Sequence, residues 1–94
     1  MALVLCTGVD PALLEARKST LEKAGHNVIT ATDQLQVVTA CRQHQFDVAV
    51  LGQAISPRMK RVIASLIQQY CPLARIVELY RPPEKRALDN AEKR

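Results

Sequence analysis

The chain has no tryptophan, one phenylalanine and two tyrosines among its 94 residues. Its core must therefore be aliphatic, and stacking of nucleic-acid bases on exposed rings has little to draw on. The three cysteines, Cys6, Cys41 and Cys71, are odd in number and form no Cys-x-x-Cys pair. That argues against a disulfide framework and for a reducing, cytoplasmic setting. The opening MALVLC carries neither the basic region nor the cleavage site of an export signal. No apolar run approaches the roughly 18 residues of a membrane span.

Positive charge is concentrated in the second half. Residues 1–50 hold four Lys/Arg against five Asp/Glu, a net −1, whereas residues 51–94 hold nine against four, a net +5. Arg58, Lys60 and Arg61 cluster there, followed by Arg75, Arg81, Lys85 and Arg86. A small basic nucleic-acid-binding protein is thus the alternative function. A dedicated binder, however, adds a reading helix or stacking aromatics to its cations, and this chain has neither signal.

What is present centres on Phe46 to Pro57, FDVAVLGQAISP. Val48 to Leu51 are apolar without alternation, the pattern of a strand buried on both faces of a parallel sheet. In such sheets chemistry sits beyond the carboxyl ends of the strands. Here those residues are Gly52, Gln53, Ala54 and Ile55, none of them an acid, base, nucleophile or strong metal ligand. An enzyme finds no residues to carry it.

The remaining elements alternate around this strand. Ala2 to Cys6 reads as a first strand, and Asp10-Pro11 opens a helix with Leu14, Leu21 and Ala24 inward and Leu13 beside them, ending at Gly25. Val28 to Thr32 reads as a second strand. Asp33, with Gln36 three residues on, caps a helix Gln34 to Gln43 expected to bury Leu35, Val38 and Cys41, with Val37 at its margin. Ser56-Pro57 starts the best-defined helix, where Met59, Val62, Ile63, Leu66, Ile67 and Tyr70 recur at helical spacing until Cys71-Pro72. Arg75 to Tyr80 reads as a fourth strand, interrupted by Glu78 as an edge strand would be. The order predicts an α/β fold, a three-layer parallel sheet with helices on both faces. Residues 82–94 form a basic C-terminal tail or short helix with a thin stripe of Ala87, Leu88 and Ala91.

LVLCTGVDPALLEARKSTLEKAGHNVITATD, FDVAVLGQAISP and ARIVELY together resemble the receiver domain of two-component response regulators over Leu3 to about Tyr80, making residues 1–81 a receiver-like domain. The resemblance implies a flavodoxin-like sheet in the order 2-1-3-4, here lacking the fifth strand. It also implies phosphoryl transfer from a histidine kinase to an aspartate after the third strand, with Mg²⁺ held by an acidic pair after the first. The acceptor position falls on Gly52. The acidic pair falls on Gly8 and Val9, or on Thr7 and Gly8 if the loop carries an inserted residue, and the hydroxyl position after the fourth strand falls on Tyr80. Asp10 alone is acidic nearby, and a hard cation needs more oxygen ligands than that. The expectation is a degenerate receiver (a pseudo-receiver) with no cofactor or metal. It would bind a histidine kinase or another response regulator, or pair with itself as a homodimer. Arg75, Ile76, Val77, Glu78, Leu79 and Tyr80, beside an open strand edge, are the candidate interface. Cys41 and His44 share a helix face, but a structural zinc needs four ligands and the other cysteines and His26 lie on different elements.

Overall fold

Residues 1–80 are described by the structure, a computed structural model; Arg81 and the expected tail lie outside the described residues. The elements run β1 (Leu3–Thr7), α1 (Pro11–Lys23), β2 (Asn27–Ala31), α2 (Gln34–Gln43), β3 (Val48–Leu51), α3 (Pro57–Tyr70) and β4 (Arg75–Glu78). All strand pairs are parallel and the order is β2-β1-β3-β4, as the resemblance implies. Each helix starts where a short polar side chain satisfies amides that have no partner within the helix. Asp10 accepts from the Ala12 amide at 3.0 Å, Asp33 from Gln36 at 2.8 Å, and Ser56 from Met59 at 3.2 Å. Gly25 follows α1 at φ 95°, a left-handed turn that glycine adopts without strain.

The sheet separates two unequal cores. Leu5, Ala49, Leu51 and Phe46 pack under α2 and α3 with Val37, Cys41, Ile63 and Ile67. On the opposite face Val4, Cys6 and Val28 pack under Leu14 of α1, with Leu21 half-buried beside them.

Three expectations about burial shift. In α2 the inward residues are Val37, Ala40 and Cys41; Val38 is half-buried and Leu35 is 75% exposed. The helix is rotated so that Val37, not Leu35, reaches the sheet. In β3 only Ala49 and Leu51 are fully buried, while Val48 and Val50 are half-exposed. The reason is that α1 lies over β1 and β2, and no other described helix covers that face. In α1 the last inward position, Ala24, is exposed because it serves as the C-cap. The fourth strand also stops two residues early, at Glu78.

Candidate functional site

The carboxyl ends of β1 and β3 meet where the fold would hold its chemistry, and there the backbone closes on itself. The Gly52 amide donates to the Thr7 carbonyl at 2.9 Å, Thr7 Oγ1 donates to the Val50 carbonyl at 3.1 Å, and the Gly8 amide donates to Ala31 at 3.2 Å. A Cβ placed on Gly52 would stand 2.8 Å from the Thr7 carbonyl oxygen and 3.4 Å from both the Gly8 Cα and the Arg17 guanidinium. A Cβ on Gly8 would meet Leu14 at 3.2 Å. The room a carboxylate needs at position 52 is thus taken up by main chain. Val9 is exposed, and Asp10 spends a carboxylate oxygen on the first turn of α1.

One cation stands over this junction. Arg17 rises from the sheet-facing side of α1, half-buried, and its charge draws the Cys6 thiol down while burial, the larger effect, pushes it up. Cys6 therefore stays protonated inside β1, which agrees with its role as a small apolar residue.

The end of β4 holds a second arrangement. Lys60, in the first turns of α3, is 2% exposed; its Nζ donates to the Leu79 carbonyl and lies 3.7 Å from the centroid of the Tyr80 ring. Leu79 already donates its amide to Leu51 at 2.9 Å, so Lys60 takes the carbonyl where the ladder stops. The Tyr80 hydroxyl donates to Glu78 at 3.1 Å, and that bond, more than burial, pushes the phenol above its ordinary range. Since Arg75 and Leu79 turn their amides toward β3, the alternation of the strand leaves the backbone of Ile76 and Glu78 facing outward. Arg75 and Glu78 are exposed, Val77 is 39% exposed and Tyr80 61%, while Ile76 and Leu79 are half-buried.

Cys41 is pushed up to about 12 by burial and then by hydrogen bonding and repulsion from Cys71. Cys71 points its thiol at the carbonyls of Cys41 (3.9 Å) and His44 (3.6 Å). Among the described residues no three His, Cys, Asp or Glu side chains gather to hold a metal ion.

No protein-family model matches the sequence, and no curated protein matches it. Among solved structures the chain is similar to the response regulator TrrA of Thermotoga maritima in complex with Mg²⁺-BeF. The TM-score is 0.72 at 15% identity, over 99% of this chain and 97% of that one. That likeness shows the fold, which is the flavodoxin-like receiver fold. The divalent cation that the receiver resemblance implies does not fit the residues here. Gly8, Val9 and Gly52 supply no carboxylate, Asp10 caps a helix, and an arginine stands beside the site.

Two of these side chains escape a reading by residue type. Lys60 counts as a surface cation by its charge, yet it lies three residues before Ile63 and seven before Ile67, on the buried arc of α3. Arg17 likewise falls three after Leu14 and four before Leu21, on the inner face of α1. Both positions are compatible with an inward place by spacing, but the stripe read for α3 leaves Lys60 out and takes in Val62 and Tyr70, which are exposed.

Proposed function

We propose that the chain is a pseudo-receiver, a signalling module that does no phosphoryl chemistry and acts through protein-protein contacts at β4 and α3. The observation that carries this reading is the closure at Gly52, where a side chain of any size meets the Thr7 carbonyl at 2.8 Å. An acceptor carboxylate there would have to displace backbone, and it would meet Arg17 in place of a metal. The contact surface is supported by where apolar side chains stay exposed. Five of the nine large apolar side chains exposed among the described residues, Val62, Tyr70, Leu73, Val77 and Tyr80, belong to α3, β4 or the segments next to them. They adjoin outward-facing backbone at Ile76 and Glu78, and an unpaired strand edge recruits another strand.

The partner we favour is a second copy of the chain related by a two-fold axis, the commonest form of assembly. A histidine kinase or another response regulator would compete for the same edge. Light scattering at micromolar concentration should report about twice the monomer mass, and Val77→Lys should lower it toward the monomer. A monomer across the whole concentration range would refute self-assembly through this edge. The nucleic-acid alternative loses support from Lys60, whose charge is spent internally on Leu79 and Tyr80 and not offered to phosphates.

A further inference from the structure

Between the N-terminal turns of α2 and α3 and the loop after β1 lies a cavity of about 180 Å³. Its inner wall is apolar and buried, made of Ala31, Val37, Ile55 and Ile63. Val9, exposed, stands at its mouth. Thr7 and Gly8 of the closed junction form one of its walls, while Gly52 lies outside its lining. The cavity sits at the carboxyl end of the sheet, where open α/β sheets place their ligands.

We propose that this cavity binds a small ligand with a single-ring apolar body, one hydrogen-bond donor and no negative charge. The volume fixes the size, since an apolar cavity of about 150 Å³ holds benzene. The charge follows from the lining, which contains no Lys, Arg or His and one carboxylate, Asp33. An anionic ligand would leave water for a lining that offers it Asp33 and no cationic side chain. The donor follows from the acceptors at the rim. One oxygen of Asp33 takes the Gln36 amide, leaving the other free. The Gln34 side-chain nitrogen donates to Met59 Sδ at 3.3 Å, which leaves that amide's oxygen to accept. This site is independent of the signalling reading, and either can fail without the other.

Indole is a suitable probe, with benzoate as its charged counterpart. Titrating the isotope-labelled chain with each and following methyl and amide NMR signals should give saturable shifts at Val9, Val37, Ile55 and Ile63 with indole and none with benzoate. Val9→Trp fills the mouth at an exposed position and should weaken indole binding at least tenfold. The proposal is overturned by any of three results: no saturable shift at millimolar indole, equal binding of benzoate, or undiminished indole binding by a folded Val9→Trp variant. If that variant loses its dispersed spectrum, the comparison of indole with benzoate on the unaltered chain decides.

Discussion

Gly52→Ala separates two physical effects that have opposite signs. Where a glycine sits in a backbone conformation open to other residues and has free space around it, alanine stabilises a protein by about 0.4 to 1 kcal/mol, because the unfolded chain loses freedom. Gly52 is not left-handed, so its backbone raises no objection. The space does. The added methyl would stand 2.8 Å from the Thr7 carbonyl oxygen, a main-chain atom fixed by its own bond from the Gly52 amide at 2.9 Å. Nothing flexible can yield, so β1 and β3 must part at their carboxyl ends, an overpacking cost of about 1 to 3 kcal/mol. For a domain of this length each kcal/mol lowers the thermal midpoint by roughly 4 to 8 °C. Urea denaturation followed by circular dichroism should show a lower midpoint with an unchanged slope, and calorimetry a lower melting temperature. An unchanged or raised midpoint would refute the claim that backbone closes this site.

Two further outcomes follow from the core. Lys60→Ala should destabilise by about 2 to 5 kcal/mol in the same urea assay, as for other large side chains removed from a core, because it also orphans the Leu79 carbonyl; Lys60→Met should recover part of that loss, and equal values for the two variants would contradict the packing role. The Cys41 thiol, raised from an ordinary value near 9 to about 12, favours the folded state in its neutral form. Its contribution is therefore complete below pH 9 and lost as pH rises toward 12, with a slope of at most about 1.4 kcal/mol per pH unit. Urea midpoints between pH 9 and 11 should fall less steeply for Cys41→Ala than for the unaltered chain, and parallel profiles would refute this.

The architecture was legible because each local signal agreed with the next. Asp10-Pro11, Asp33 with Gln36, and Ser56-Pro57 mark three helix starts that the structure places at those residues. The apolar runs around Leu5 and Ala49 fix the two inner strands. Rotations about helix axes were less legible, since QLQVV offers Leu35, Val37 and Val38 within a few residues and only the sheet decides that Val37 goes in. The site was half legible. Gly8, Val9 and Gly52 offer no carboxylate at the positions the receiver resemblance implies, but the approach of Thr7 to Gly52 is a contact between strands that no spacing rule contains. The burial of Lys60 was not legible, since it counts in the basic cluster and stands outside the stripe read for α3, and only the Leu79 carbonyl and the Tyr80 ring explain how its charge is accommodated.

The central claim, that this receiver fold carries no phosphoryl chemistry, is tested most directly by incubating the chain with Mg²⁺ and acetyl phosphate and measuring its intact mass. The account predicts no added phosphoryl group, and none for Gly52→Asp either, whose new carboxylate would meet the Thr7 carbonyl and Arg17 without ligands to hold a cation. A stoichiometric gain of one phosphoryl group by the unaltered chain would contradict it.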